Sequence, residues 1–382
     1  MFLTNQDKVE LTEWRRDLHR HPEVSGEEAE TARRVQALLA SAGADRIINN
    51  IGGHGVAGIF EGREPGPTVM FRAELDALPI EEISDAPHRS SIPGKAHLCG
   101  HDGHMAILAA LARGLSRQRP QRGRAILLFQ PAEETGAGAA AVVADPKFRE
   151  IAPDFVFALH NLPGMKFGQV ALVEGPVSCA SRGMRIVLTG KTAHASMPET
   201  GTSPVNAVAR LMPALTSLGR GGPTDEGFTL VTVTHARIGE PAFGIAPAHG
   251  EIWATLRTLT DAGMEALVSK AELLANEAAR ESGLSIEISY NDIFRHCENA
   301  PEAVAHLRRA LDAEGVPHDR GDLPMRPSED FGHLGANAPA AMFFLGAGEE
   351  HAALHNPDYD FPDDLIPIGA GVFMRTLRDL LG

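Results

Sequence analysis

Six consecutive residues, Cys99-Gly100-His101-Asp102-Gly103-His104, bring together a thiol, two imidazoles and a carboxylate. Cys99 and His101 are two residues apart, so their side chains can converge on one point in an extended or turning backbone. A deprotonated thiol and a neutral imidazole are both good ligands for a borderline divalent metal ion. The stretch alone leaves a second interpretation open, in which Cys99 is a small buried residue, Asp102 caps a helix and His104 lies on its surface.

The elements around this cluster predict how it is positioned. Apolar residues recur at helical spacing over 105–115, so the cluster lies at or just before the start of a helix. Continuous apolar stretches that alternate with helices indicate a largely parallel sheet covered by helices on both faces. These stretches lie at 67–71, 125–129, 154–159 and 340–345. In such an α/β sheet, ligands bind beyond the carboxyl ends of the strands.

Carboxylates and histidines follow the predicted strands at these ends. Glu133 and Glu134 follow the second strand, and adjacent side chains of an extended segment point opposite ways. One of the two can therefore bind a metal while the other faces the substrate as a proton carrier. His160 follows the third strand directly, although a histidine there is often only a core or loop residue. His355 follows the last strand, and His351 competes with it for the same role.

The residues together suggest a site with five ligands, and five ligands of which one can bridge suit two metal ions better than one. These ligands are Cys99, His101, Glu134, His160 and His355. A pair of ions about 3.5–4 Å apart polarises a carbonyl and lowers the pKa of a bound water from about 15.7 to about 7. Glu133 would take the proton of that water and hand it to a leaving amine. A thiolate ligand favours zinc, whereas carboxylate and imidazole ligands also admit manganese, cobalt or nickel.

The pattern changes in the middle of the chain. Strands and helices alternate there as β-α-β-β-α-β, which is the split ferredoxin-like unit. The predicted strands are 183–188, 228–234, 251–257 and 284–290, and the predicted helices are 203–218 and 262–281. We expect 179–291 to form an inserted domain, and 1–178 together with 292–382 to form the catalytic domain.

Composition limits the class of protein. A chain of 382 residues favours two domains, and its net charge of −15 argues against binding to nucleic acid or to an anionic membrane. Three cysteines form no disulfide framework, and neither a signal peptide nor a run of about 18 apolar residues is present, so a cytoplasmic location is expected. A serine hydrolase is not expected, because a Gly-X-Ser-X-Gly turn is absent from the sequence.

Motifs in a fixed order run along nearly the whole chain. They are Arg16-Asp17-Leu18-His19, His21-Pro22-Glu23, Arg72-Ala73-Glu74-Leu75-Asp76-Ala77-Leu78-Pro79, Cys99-Gly100-His101-Asp102, Gln130-Pro131-Ala132-Glu133-Glu134, Ser328-Glu329-Asp330-Phe331, Leu354-His355-Asn356-Pro357 and Tyr359-Asp360-Phe361. This series resembles the metal-dependent aminoacylase and carboxypeptidase family. Within that family it is similar to the branch of hippurate hydrolase and the indole-acetyl-amino-acid amidohydrolases.

The resemblance implies a fold, a cofactor and a reaction. It implies that the five ligands hold two divalent ions, with Mn²⁺ or Zn²⁺ favoured and Ni²⁺ or Co²⁺ as alternatives, and that Glu133 is general base and then general acid. It also implies that the inserted domain is a dimerisation or lid domain, so a homodimer or dimer-based oligomer is expected. The implied reaction is hydrolysis of the amide that joins an acyl group to an amino acid or similar amine, so the expected partner is a small N-acyl amino acid or peptide.

The resemblance extends to two residues of the inserted domain. His194, in Gly190-Lys191-Thr192-Ala193-His194-Ala195, is implied to steady the tetrahedral oxyanion, often from the partner subunit, a role that contributes about 2.7–4 kcal/mol. Arg257 keeps its match and can pair with a substrate carboxylate. Without the resemblance, a histidine and an arginine at these places would be taken as structural.

The chain also departs from the branch, and alternatives follow. Glu74 stands where an aspartate is usual; with Asp102 it is expected to lie behind the ligands, whose surroundings are then rearranged. The stretches 197–199 and 243–247 are altered as well, which suggests a changed substrate. The alternatives are a dipeptidase or carboxypeptidase that uses the same site, and an inactive metal-binding homologue. Activity on N-acyl amino acids beside free dipeptides separates them.

Overall fold

The computed structural model describes residues 2–382. The helices, in chain order, are α1 (Asn5–Arg20), α2 (Ala29–Ser41), α3 (His101–Arg117), α4 (Gly138–Ala144), α5 (Val205–Thr216), α6 (Asp261–Glu281), α7 (Pro301–Glu314), α8 (Gly332–Gly335) and α9 (Leu365–Leu381). The strands are β1 (Arg46–Ile51), β2 (Gly55–Glu61), β3 (Glu64–Glu74), β4 (Arg122–Gln130), β5 (Phe155–Pro163), β6 (Val170–Ala171), β7 (Gly175–Ser178), β8 (Ala180–Thr189), β9 (Ala193–His194), β10 (Thr229–Ile238), β11 (Ile245–Ala246), β12 (His249–Thr258), β13 (Ser285–Phe294), β14 (Cys297–Asn299), β15 (His318–Asp319) and β16 (Ala340–Gly348).

The chain forms two compact units. The first comprises the chain up to Val177 together with Glu298–Leu323 and Asp330–Gly382. The second comprises Ser178–Cys297 and the short segment Pro324–Glu329.

The first unit is built on an eight-stranded mixed sheet in the order β1-β2-β4-β3-β5-β16-β6-β15. Its central strands β4, β3, β5 and β16 run parallel to one another. Strand β2 pairs in antiparallel orientation with β1 on one side and with β4 on the other. The central strands are buried along most of their length, as continuous apolar runs predict. The prediction of a mixed, largely parallel α/β sheet is therefore confirmed.

Helices α3 and α9 carry the core against this sheet. Every residue of α3 from His101 to Ala112 is buried, which is typical of a helix enclosed on all sides. Phe71 of β3 packs against Phe157 of β5, with ring centroids 5.7 Å apart, and against Phe373 of α9, 5.0 Å away. The helix that begins at the Cys99 cluster is thus enclosed in the core of the unit.

The prediction does not include β2, α7 or α9. Strand β2 is interrupted by glycines, which weaken a strand pattern, yet it is buried over all but its last residue. A Cβ atom at Gly58 would lie 2.6 Å from Leu39 Cδ2 of α2, so the glycine allows helix and strand to approach closely. Packing between elements, which a local pattern does not contain, explains this omission.

The second unit is a four-stranded antiparallel sheet with α5 and α6 packed on it. Its strand order β10-β12-β8-β13 is that of the split ferredoxin-like unit, and the predicted β-α-β-β-α-β sequence of elements agrees within a few residues. The unit spans 178–297, where the sequence predicted 179–291, and it includes 324–329. That segment belongs to it because Met325 bridges to Ser178 and Pro327 accepts a hydrogen bond from the Cys179 amide at 3.3 Å.

Among residues 2–382, no helix is both long and apolar enough to cross a membrane.

Candidate metal centre

A glycine in the left-handed region shapes the turn that carries Cys99 and His101. Gly100 has φ 91°, and a Cβ atom there would lie 2.2 Å from Asn161 Nδ2. Any side chain at this position would therefore displace Asn161, whose amide donates a hydrogen bond to the Cys99 carbonyl at 2.7 Å. The turn is anchored to the end of β5, and α3 begins at His101.

A second strained turn presents the two glutamates after β4. Ala132 has φ 50°, an uncommon value for a residue with a Cβ atom, and its amide donates to Glu28 Oε1 at 2.8 Å. The Glu134 amide donates to Asp76 Oδ2 at 3.0 Å. The buried carboxylates of Glu28 and Asp76 thus hold the backbone on both sides of Glu133. These two hydrogen bonds fix the conformation of the turn and, with it, the directions of the Glu133 and Glu134 side chains.

The two remaining histidines come from different parts of the chain. His160 lies near the end of β5, one residue before Asn161. His355 lies in the loop after β16 with φ 65°, and its amide donates to the Leu98 carbonyl at 2.8 Å. This backbone bond places His355 beside the turn that carries Cys99. Residues with rare backbone conformations are often found at functional sites. Ala132 and His355, both with positive φ, lie in the two segments that carry Glu133, Glu134 and the His355 ring.

The structure brings all five predicted ligands and Glu133 together. Cys99 Sγ lies 3.4 Å from His160 Nε2, and His355 Nε2 lies 3.5 Å from Glu134 Oε2. His101 Nε2 lies 3.8 Å from a Glu133 oxygen and 3.9 Å from Glu134 Oε1. Three groups of ligand atoms within 4.8 Å of one another consist of these residues alone, and they are Cys99/His101/His160, Cys99/Glu134/His355 and His101/Glu133/Glu134. Two further groups overlap with them through His101 and Glu133, and they are Glu74/His101/His104 and Glu133/Glu329/Asp330.

Hydrogen bonds set the histidine tautomers for metal binding. His101 Nδ1 donates to the Asp76 carbonyl at 2.9 Å, and His160 Nδ1 donates to the Asn161 carbonyl at 2.7 Å. Each ring therefore presents Nε2 as a lone pair, which is the arrangement usual in metal-bound histidines. Within residues 2–382, His101 Nε2 is buried without a hydrogen-bond partner. A divalent ion would satisfy this atom, and the thiol, imidazole and carboxylate donors suit a transition metal.

The charges of the cluster also favour a cation. Burial and the negative charges of Glu134 and Glu133 raise the pKa of the Cys99 thiol well above its usual range. Burial disfavours a charged His101, but Asp76, Glu74 and Glu134 outweigh it and raise the His101 pKa to about 10. The metal-free chain therefore holds protons where a metal ion would place positive charge, and metal binding must release them.

Glu74 borders the cluster, since its carboxylate lies within 4.8 Å of ring nitrogens of His101 and His104. Its carboxylate accepts a hydrogen bond from His104 Nδ1 at 2.6 Å and pairs with buried Arg72. Arg72 also donates to Asp330 Oδ1 at 2.6 Å. His104 Nε2 accepts from the Asn161 amide at 3.1 Å, so the chain Glu74–His104–Asn161 leads to the segment that carries His160. Glu74, which is one methylene longer than the aspartate usual at this position, is thus paired with both His104 and Arg72.

The Asp102 side chain forms its hydrogen bonds with α1. Its Oδ2 accepts from His19 Nδ1 at 2.9 Å and from Arg15 Nη1 at 3.2 Å, both on α1. The residue that contacts the ligands directly is Asp76, through His101 and the Glu134 amide. In the sequence, Asp76 is prominent only as part of the motif at 72–79. Its place two residues after Glu74, and so on the same side of an extended segment, is the signal that could have identified it.

His351, the competitor of His355, has another role. Its Nε2 bonds to the Asp360 carbonyl at 2.7 Å, and its ring packs edge-on against Tyr359 at 5.4 Å. Of the two histidines, only His355 belongs to the groups of ligand atoms described above.

His194 and Arg257, the two predicted site residues of the second unit, lie on strands β9 and β12. His194 is exposed on β9, paired with Ile245 of β11, and its Nδ1 accepts a hydrogen bond from the Ser196 amide at 3.1 Å. Arg257 on β12 donates to Ser328 Oγ at 2.8 Å and to the Arg326 carbonyl at 3.1 Å. In the described chain, no carboxylate lies within 4.0 Å of the Arg257 guanidinium. The altered stretch 243–247 includes β11 and therefore lies beside His194.

A mixed α/β sheet with this donor set at its strand ends, and with an inserted antiparallel unit, defines the class of metal-dependent amidohydrolases. The chain belongs to the peptidase family M20/M25/M40, whose sequence model matches residues 70–379.

Individual proteins of known name are similar over nearly the full length. The IAA-amino acid hydrolase ILR1-like 5 of Arabidopsis thaliana is 30% identical over 387 residues, which cover 97% of this chain and 87% of that protein. Hippurate hydrolase of Campylobacter jejuni is 29% identical over 96% of this chain and 95% of that protein. The crystal structure of Bacillus subtilis YXEP, described as a dinuclear metal binding peptidase from the M20 family, has a TM-score of 0.83 at 25% identity and covers 99% of both chains.

Proposed function

We propose that this protein hydrolyses the amide bond of N-acyl amino acids with two divalent metal ions and Glu133 as the general base. The observation that carries the proposal is the convergence of Cys99, His101, Glu134, His160 and His355 on one point beside Glu133. These residues come from four separate segments of the first unit, and packing alone has no need of a buried thiol, three imidazoles and two carboxylates in contact.

The proposed ligand set holds two ions, with Mn²⁺ or Zn²⁺ favoured and Ni²⁺ or Co²⁺ as alternatives. Cys99 supports this number because it belongs to two groups of ligand atoms, one with His101 and His160 and one with Glu134 and His355. The relative whose title describes a dinuclear site supports it as well. When bound, such ions polarise the scissile carbonyl and make a water nucleophilic near neutral pH.

Glu133 carries the proton in the proposed reaction. It is 5% exposed, and one of its oxygens lies 3.8 Å from His101 Nε2, so the carboxylate borders the cluster. A carboxylate at that place accepts the proton of the attacking water and then delivers it to the leaving nitrogen, which departs as a neutral amine. Glu134, which contacts both His101 and His355, is proposed as a ligand instead.

His194 is proposed to stabilise the oxyanion. Because His194 Nδ1 accepts the Ser196 amide, the proton of the neutral ring lies on Nε2. The exposed Nε2–H is then a donor for negative charge that develops on the substrate oxygen.

Arg257 is proposed to bind the carboxylate of the amino-acid part. It is half-buried, and burial lowers its pKa. Within the described chain, no carboxylate lies within 4.0 Å of its guanidinium to offset this effect. A substrate carboxylate would provide the missing partner in bidentate geometry.

The second unit is proposed to form the dimer contact as well, and light scattering of the purified protein tests the expected homodimer.

The substrate class follows the names of two relatives, a hippurate hydrolase and an IAA-amino acid hydrolase. Both names denote an acyl group joined to an amino acid. The test is a panel of N-acetyl and N-benzoyl amino acids beside free dipeptides, assayed for released amine with protein loaded in turn with Mn²⁺, Zn²⁺, Co²⁺ or Ni²⁺. Turnover of the N-acyl compounds supports the proposal. Turnover of dipeptides alone would indicate a peptidase, and no turnover with metal bound would indicate an inactive homologue.

The control variant is Glu133→Gln, which keeps the shape of the side chain and removes its basicity. It should retain metal and lower kcat by about 10²–10⁴-fold. Loss of metal in this variant would show that Glu133 is a ligand and would contradict the assigned role.

A further inference from the structure

Arg15 is a fully buried cation whose three carboxylate partners lie on two segments of the first unit. Its side chain, on α1, is 0% exposed. Its Nη1 donates to Asp102 Oδ2 at 3.2 Å and to Asp360 Oδ1 at 2.5 Å, and its Nε donates to Asp363 Oδ1 at 2.8 Å. Arg15 directly precedes the sequence motif at 16–19, and Asp360 lies within the motif at 359–361. The proposed reaction uses no residue of these motifs.

The three carboxylates belong to segments that carry proposed metal ligands. Asp102 follows His101 directly in the first turn of α3. Asp360 and Asp363 lie in the same loop region as His355, which precedes α9. One guanidinium therefore connects the turn of Cys99 and His101 to the loop of His355.

The geometry needs an arginine. A planar guanidinium presents five donors in a fixed fork, so it can hold three carboxylates in different directions at once. A lysine offers one small charge at the end of a flexible chain and cannot span the same acceptors. Without Arg15, His19 would be the remaining cation between Asp102 and Asp360, with its Nδ1 2.9 Å from Asp102 Oδ2 and 3.9 Å from Asp360 Oδ1. One positive charge would then face two carboxylates, one of them fully buried, so the attraction that holds the two segments together would be weaker.

We propose that Arg15 is a positioning residue of the metal centre. It sets the distance between the Cys99–His101 turn and the His355 loop, although it contacts neither a proposed ligand nor the substrate. The proposal rests on the proposed metal function of these residues. Through the buried side chain of Arg15, helix α1 then helps to position the residues that hold the ions.

The matched control is Asp7, on the same helix. Asp7 lies eight residues before Arg15, about 12 Å away along α1. It is also buried, and it links α1 to the far end of α3 through Arg117 at 2.6 Å and Arg113 at 3.1 Å. Asp7→Asn therefore weakens the same pair of helices without touching the end that carries the ligands.

The experiment compares wild type with Arg15→Met, Arg15→Lys and Asp7→Asn, each loaded with Co²⁺. Thiolate-to-cobalt absorption reports the Cys99 ligand, a competing chelator gives the rate of cobalt loss, and the thermal midpoint of the metal-free protein reports the fold. Arg15→Met should lose cobalt at least about tenfold faster than wild type and should alter the absorption band. The rate of cobalt loss from Arg15→Lys should lie between those of Arg15→Met and wild type. Asp7→Asn should lower the thermal midpoint and have little effect on the rate of cobalt loss.

Equal rates of cobalt loss in Arg15→Met and Asp7→Asn would overturn the proposal, because Arg15 would then only stabilise the fold. If Arg15→Met fails to fold, Asp360→Asn removes one partly exposed acceptor and must accelerate cobalt loss in the same direction. A wild-type protein that binds no cobalt would instead refute the proposed metal centre, on which this inference rests.

Discussion

His19 is predicted to make the stability of the first unit depend on pH. Its two ring nitrogens face carboxylates, Asp102 at 2.9 Å from Nδ1 and Glu82 at 3.3 Å from Nε2. A neutral imidazole carries one N–H, so both hydrogen bonds form only when the ring is protonated. Burial opposes that charge, but the bonds to Asp102 and Glu82 outweigh it and raise the His19 pKa from 6.5 to about 9.

The sign and size of the effect follow from this shift. Because the pKa is raised in the folded state, the stabilisation is fully present below about pH 6.5 and is lost as the pH rises through about 9. A difference of about 2.5 pKa units at 1.36 kcal/mol each corresponds to about 3 kcal/mol. His19→Gln removes the titrating group, so the stability difference between wild type and this variant should shrink by about 3 kcal/mol over that range.

The assay is urea unfolding of the metal-free proteins at several pH values between about 6 and 10. Trp14 lies in the first unit and Trp253 in the second, and the chain has two tryptophans. A Trp253→Phe background therefore makes fluorescence report the first unit alone. His54→Gln, in the turn between β1 and β2, is the control for loss of a histidine. A difference between wild type and His19→Gln that stays constant with pH would refute the reasoning.

Three further predictions concern the metal centre and its support. Cys99→Ser should shift the metal preference from zinc towards manganese, because a hydroxyl is a harder donor than a thiolate; competition between the two ions measures this. Glu74→Gln leaves buried Arg72 and His104 without their shared charge and should destabilise the first unit by about 3–5 kcal/mol in urea unfolding. An unchanged unfolding midpoint would contradict that role. Affinity for metal should rise with pH, since the raised pKa values of the Cys99 thiol and His101 mean that binding releases protons; calorimetry in buffers of different ionisation enthalpy counts them.

Local patterns determine much of this protein. Continuous apolar runs predict β3, β4, β5 and β16, and the alternation of elements predicts the order of the second unit. Residues directly after buried strands, such as Glu133, Glu134 and His160, are predictable as site candidates because parallel strands end at one edge of the sheet. These inferences need only chain-local spacing and the rule that ligands collect at strand ends.

The sequence by itself specifies which donor types are available and in what order they occur. Only the tertiary structure decides that His355 rather than His351 faces Glu134, that Asp76 orients His101, and that Asp102 turns towards Arg15. Each of these contacts joins residues that are far apart in the chain or distinguishes near neighbours by the direction of a side chain. Such outcomes depend on how helices and loops pack around the sheet, and on backbone conformations such as the positive φ of His355, which no local periodicity encodes.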